Sequence, residues 1–107
     1  IGSGLAHWVE TGEMGPGEPY KVEGIGGSAQ LDLMDRSIID ETIMVSDADS
    51  FLMARRLIRD EGLLVGGSAG TAVCAAVRVA ASGEVTKPVV AMLPDSWDRY
   101  FSRDWLK

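Results

Sequence analysis

The chain has 107 residues, 46% of them hydrophobic and 24% charged, with ten Lys and Arg against sixteen Asp and Glu for a net charge of −6; this is the composition of a globular unit. At this length folding hides roughly 65% of the surface of the unfolded chain, so one modest core is expected and two domains are not. The acidic balance without a clustered Lys/Arg face excludes a nucleic-acid coat, the apolar stretches stop short of the ~18 to 20 residues of a bilayer span, and a lone Cys74 with a lone His7 excludes an internal disulfide and a metal cluster.

The first nineteen residues read as an opening segment and loop. They begin on Ile1 without Met and run through Gly2, Gly4, Gly12, Gly15, Pro16 and Gly17, as a chain joined midway would. No basic-then-apolar leader opens them, and a soluble, cytoplasmic protein is the expectation. Residues 20–107 read as the α/β portion. Tyr20 to Glu23 alternates with period two and is stopped by Gly24-Ile25-Gly26-Gly27, a short strand delivering a glycine turn.

Glu41 to Ser46 is an apolar, β-branched run suited to a buried strand. Ser46 with Asp49 three residues on marks a helix start, and the spacing predicts a helix from about Asp47 to Glu61. Its apolar side carries Phe51, Ala54, Leu57 and Ile58, and Gly62 stops it. Leu63 to Val65 is a second expected strand, broken by Gly66-Gly67-Ser68-Ala69-Gly70. A helix then runs to about Ala81, so rich in Ala and Val that burial on most sides is expected. Val89 to Leu93 is a third strand, closed by Pro94 and Asp95. In the tail, Trp97, Tyr100, Phe101 and Trp105 form an i, i+3, i+4, i+8 stripe that suits an amphipathic helix docked on its own domain. Strands and helices alternating through short Gly or Pro links predict an α/β fold with a mostly parallel sheet and flanking helices. Parallel sheets bury both faces, and two good helices leave the sheet incompletely covered.

Leu63 to Gly70 is the sharpest chemical feature, a buried strand passing through glycines straight into a helix. Ligands of open α/β sheets sit where helix N-termini present unpaired N–H groups, and Ser68 would project there. The plainer alternative is that Ser68 caps the helix and the glycines allow close packing. The loop is neither a Walker A sequence nor a dinucleotide-binding G-x-G-x-x-G. His7 has no Ser or Cys partner at a recognisable spacing, and Cys74 reads as a small buried residue.

Tyr20 to Gly26, Glu61 to Gly70 and Leu93-Pro94-Asp95-Ser96 stand together in this order and spacing, and by them the chain resembles the C-terminal part of the catalytic core of the cystathionine β-synthases. These are fold-type II pyridoxal-phosphate enzymes, related to cysteine synthase. The resemblance runs from Tyr20 to Leu106, and Val22 to Gly26, Gly66 to Gly70 and Ser102-Arg103-Asp104-Trp105 favour the cystathionine branch. It implies that residues 1–107 are the C-terminal portion of a pyridoxal-phosphate-dependent catalytic domain of the tryptophan synthase β-like fold. The implied activity is β-replacement, condensing serine with homocysteine to cystathionine; cysteine synthase, using activated serine and sulfide, is the alternative.

For the site, the resemblance implies a hydrogen bond from the Ser68 hydroxyl to the pyridine nitrogen of pyridoxal 5'-phosphate, with Gly67, Pro94 and Asp95 near that edge of the ring, Pro94 and Asp95 alternatively serving only to start a helix. It places Gly24, Ile25 and Gly26 beside the cofactor and the substrate entrance. Gly27 stands where the family often has an aromatic residue. Lys21, Lys87 and Lys107 match no Schiff-base lysine, which the resemblance assigns to an upstream portion of the same domain. That portion, a homodimeric assembly and small amino-acid substrates are the expected partners. Without that lysine the 107 residues are expected to be inactive alone, and a phosphate-binding module or a non-catalytic fragment remains the rival reading.

Overall fold

The structure, a computed structural model, describes residues 4–27, 29 and 31–107; Ile1, Gly2 and Ser3 of the opening segment lie outside the described residues. Where length pointed to one core, the chain divides into two compact units, Ile1–Met44 and Val45–Lys107. Buried apolar residues are few and fall into separate groups along the sequence, so each group gathers its own neighbours.

The first unit holds a helix that the sequence reading passed over, α1 (Gly4–Thr11), with Leu5 and Trp8 buried. The glycines around it are packing positions. A side chain on Gly4 would meet the Gly15 carbonyl oxygen at 2.6 Å, and one on Gly15 would meet the His7 side chain at 2.7 Å. His7 thus has a packing contact. The C-terminal end of α1 is held by Arg36, whose Nε donates to the Val9 carbonyl at 2.7 Å and whose Nη2 donates to that of Glu10 at 3.2 Å. A cation on those carbonyls also opposes the negative end of the helix dipole. Asp35 caps a 3₁₀ turn over Arg36–Ile38, its Oδ1 accepting from the Ser37 N–H and hydroxyl.

In the second unit α2 spans Asp47–Glu61, as the capping pattern predicts. The Asp49 N–H donates to Ser46 Oγ at 3.1 Å, and Gly62 closes the helix in the left-handed conformation at φ 68°. Ser50, Phe51, Ala54 and Leu57 are its buried face. α3 spans Gly67–Ser82 and ends at Gly83, also left-handed. The two helices cross tightly at Gly70, where an added Cβ would run into the Ser50 carbonyl oxygen and lie 2.8 Å from the Ala54 nitrogen. A buried hydroxyl link spans this crossing, Thr71 Oγ1 donating to Ser50 Oγ at 2.8 Å and Ser50 Oγ to the Ser46 carbonyl at 2.8 Å. Leu57, Val65 and Ala69 form the core of this unit, with Met53, Val73 and Leu93 packed on it.

The expected sheet is a correction. Among the described residues no strand forms, and the one ladder contact is an isolated antiparallel bridge between Val65 and Ser96. Residues 20–23, 41–46 and 89–93 lie outside helices and form no strand. Val90 and Met92 of the 89–93 run are 82% and 78% accessible, whereas Val22 and Val45 are buried. The uniform burial expected for α3 is likewise confined to Gly67–Thr71, with Val77 exposed and Cys74 half-buried. An apolar run is buried only if something is laid across it, and α2 covers only one side of α3.

The tail docks on its own unit, but as two 3₁₀ turns, Trp97–Tyr100 and Asp104–Leu106, instead of one α-helix. Trp105 stacks on Phe51 with ring centroids 5.0 Å apart, and Arg55 Nη1 donates to the Trp105 carbonyl at 2.7 Å. Tyr100 and Trp105 of the aromatic stripe pack on this unit, while Phe101 is 59% exposed, and the stripe follows a tighter helical path than the spacing predicts.

Candidate functional site

The second unit brings Gly67, Ser68, Pro94 and Asp95 to one place, where α3 begins beside the 95–97 segment. The Gly66 N–H donates to the Asp95 carbonyl at 3.2 Å, and the Trp97 N–H donates to the Leu64 carbonyl at 3.2 Å. These bonds pin the two segments side by side. The N-cap of α3 is Gly66, which has no side-chain oxygen to offer. Ser68 is inside the first turn, so the alternative in which it caps the helix does not hold. Its side chain is buried, 5% exposed, and Oγ donates to Asp95 Oδ1 at 3.4 Å, a long and weak contact.

Asp95 has a stronger partner that the sequence reading missed. The hydroxyl of Tyr100 donates to Asp95 Oδ2 at 2.5 Å, the length of a charge-assisted bond to a carboxylate. Tyr100 is also buried and its ring fills the space that a side chain on Gly66 would take. Gly67 is explained in the same way, since a Cβ there would sit 2.8 Å from Cε1 of Phe51. Close packing thus accounts for the missing side chains at Gly66, Gly67 and Gly70. A signal existed in the spacing: Asp95 and Tyr100 lie one helical turn and one residue apart, within reach of each other once the tail turns back.

Gly24, Ile25 and Gly26 belong to the first unit. Gly24 and Gly26 have φ of 77° and 72°, and Gly27 149°, so the chain turns through conformations that disfavour side chains. Nothing lies within 4 Å of a Cβ built on Gly24. The backbone angle, not a neighbour in this chain, requires glycine there. Lys87 and Lys107 in the second unit are exposed, and Lys107 Nζ pairs with Asp104 at 3.0 Å.

In the second unit, Ser68 presents a buried hydroxyl at the positive end of α3, held only by a long contact to Asp95, and a hydroxyl in that position can donate to an uncharged nitrogen acceptor. No helix among the described residues is long and apolar enough to cross a membrane.

Residues 3–95 match the family described as pyridoxal-phosphate dependent enzyme. The chain is 41% identical over 91 residues to a cystathionine beta-synthase of Dictyostelium discoideum, covering 81% of this chain and 18% of that protein. A cysteine synthase structure from Entamoeba histolytica superposes with a TM-score of 0.83 at 27% identity, over 97% of this chain and 30% of the other. An O-acetylserine dependent cystathionine beta-synthase structure from Helicobacter pylori gives a TM-score of 0.74 at 35% identity, over 83% of this chain and 29% of that one. The chain therefore spans less than a third of each of these relatives. Three ordered motifs, a buried hydroxyl at the start of α3 and a match over most of the length lead to one conclusion: the chain belongs to the pyridoxal-phosphate dependent enzymes.

Proposed function

We propose that this chain forms the ring-nitrogen wall of a pyridoxal-phosphate-dependent β-replacement enzyme that joins serine to homocysteine. The carrying observation is Ser68, buried in the first turn of α3 without serving as its cap and turned toward Asp95 at the adjoining segment. When bound, pyridoxal phosphate supplies an electron sink for charge developing at the amino-acid α-carbon. Ser68 would donate to the ring nitrogen. A carboxylate there would hold that nitrogen protonated, whereas a neutral hydroxyl would leave the sink weaker, which suits loss of a β-substituent. The net reaction breaks the serine β-carbon to oxygen bond, forms a β-carbon to sulfur bond with homocysteine and releases water.

Gly67, Pro94 and Asp95 border the same edge, and Gly24, Ile25 and Gly26 form the loop at the substrate entrance. The runs 41–46, 63–65 and 89–93 are strands of a parallel sheet of the fold-type II kind, completed by neighbours that another part of the domain supplies. That part brings the Schiff-base lysine, so residues 1–107 are one portion of the catalytic domain and do not turn over substrate by themselves. A cytoplasmic homodimer completes the reading.

A second reading, cysteine synthase, is favoured by the superposition on the Entamoeba histolytica structure; among the superposed structures, the higher identity to the O-acetylserine dependent cystathionine beta-synthase of Helicobacter pylori, 35% against 27%, favours the first. Two experiments decide. Borohydride reduction followed by intact mass under denaturing conditions should find reduced pyridoxal phosphate on the lysine-bearing portion and none on a species of 11.4 kDa. Steady-state assay of the complete enzyme should give faster product formation with homocysteine than with sulfide. Preference for sulfide would select the second reading, and absence of any cofactor adduct would overturn both.

A further inference from the structure

The contacts of Asp95 are unequal, and the inequality has a use. One oxygen takes the Tyr100 hydroxyl at 2.5 Å, the other the Ser68 hydroxyl at 3.4 Å. The Asp95 backbone is held beside α3, its carbonyl accepting from the Gly66 N–H at 3.2 Å. The phenol is held too, its ring buried in the slot left by Gly66 and 5.8 Å from the Trp105 ring. A partly buried carboxylate seeks donors, and a strong donor on one oxygen reduces its pull on any other.

We infer that Tyr100 is a positioning residue that acts through Asp95: by engaging the carboxylate it leaves the Ser68 proton free for a ligand acceptor at the start of α3. This inference rests on the reading that Ser68 faces the ring nitrogen of pyridoxal phosphate. Without the phenol hydroxyl, Asp95 would draw the Ser68 proton to ordinary hydrogen-bond length. Ser68 would then hold its proton away from the ring.

The test uses the complete enzyme loaded with pyridoxal 5'-phosphate and reads the fluorescence and absorption of the bound cofactor together with its dissociation constant. Tyr100→Phe keeps the ring in the Gly66 slot and removes only the donor. It should weaken cofactor binding roughly 2- to 10-fold, the worth of one hydrogen bond, and shift the emission in the same direction as Ser68→Ala. The double variant Tyr100→Phe with Ser68→Ala should read the same as Ser68→Ala alone, because a residue that acts only through the Ser68 proton then has nothing left to act on. If Tyr100→Phe does not fold because its carboxylate is stranded, 3-fluorotyrosine at position 100, a stronger donor on the same ring, carries the test and should shift the emission opposite to Ser68→Ala. A normal spectrum and affinity in Tyr100→Phe beside an altered Ser68→Ala would overturn the positioning role and leave the cofactor reading standing. A further change on adding Tyr100→Phe to Ser68→Ala would assign Tyr100 a packing role only. An unaltered Ser68→Ala would overturn the cofactor reading, and the positioning role with it.

Discussion

Replacing Gly70 by Ala places one methyl group at the crossing of α2 and α3. The new Cβ would lie 2.8 Å from the Ala54 nitrogen, 3.0 Å from the Ala54 Cβ, and nearer still to the Ser50 carbonyl oxygen. Two of these are backbone atoms of a helix and cannot rotate aside, so the helices must separate. Overpacking of this kind costs about 1 to 3 kcal/mol, and the upper end applies where the obstacle is backbone. Separation also stretches the buried bond from Thr71 to Ser50, adding about 1 kcal/mol. Ala is the better helix former by about 1 kcal/mol, which offsets part of the cost. The expected net loss is about 3 kcal/mol, a large share of the ~5 to 15 kcal/mol that holds an ordinary domain together. Far-UV circular dichroism of the chain during urea and thermal unfolding reads it directly, with an expected fall in melting temperature of roughly 12 to 24 °C. Gly83→Ala is the comparison: its φ is 77° and nothing lies within 4 Å, so only the left-handed backbone costs, about 1 kcal/mol. If Gly70→Ala melts no lower than Gly83→Ala, the close crossing is refuted.

Ser46→Ala should lose the N-cap of α2 and about 1 kcal/mol of unfolding free energy by urea titration, because the Asp49 N–H loses its side-chain acceptor. Arg36→Ala should speed amide hydrogen exchange in α1, whose last carbonyls lose the guanidinium; unchanged exchange there would show that the bonds to Val9 and Glu10 do not form in solution. The Ser37 hydroxyl and N–H hold the Asp35 carboxyl below the usual carboxylate range, so the folded form of its turn is favoured above the ordinary carboxylate pKa and loses that support as pH falls through the depressed folded value. Carbon-detected NMR titration should find that midpoint displaced downward and restored toward normal by Ser37→Ala. Asp60 is likewise lowered, chiefly by its hydrogen bonds from Arg59 at 2.6 and 3.1 Å, and as an exposed pair it should return toward normal in high salt. A midpoint insensitive to salt and to Arg59→Gln would contradict the pairing.

Much of the second unit is legible in local chemistry. Ser46 and Asp49, the apolar spacing from Phe51 to Leu57, and Gly62 bound α2 because capping and helical period act within a few residues. The start of α3 after Gly66-Gly67 is legible for the same reason. Helix α1 was hidden by its glycines, which look like loop residues until Gly15 and the His7 side chain are seen filling the space beside Gly4 and each other. The cofactor class was readable from ordered motifs, since a family's spacing survives in sequence.

Sequence alone determined where α2 and α3 lie, which of their faces are apolar, and the family to which the chain belongs. Tertiary structure alone decided that Ser68 does not cap its helix, that Gly66 and Gly67 make room for the rings of Tyr100 and Phe51, and that Asp95 is shared unequally between two hydroxyls. It also formed no strand over 41–46, 63–65 or 89–93 and only an isolated bridge at Val65. The physical reason is range. Helix capping and periodicity are satisfied within one segment, whereas a strand, a ring in a glycine slot and a shared carboxylate each need a partner that only the folded chain brings alongside.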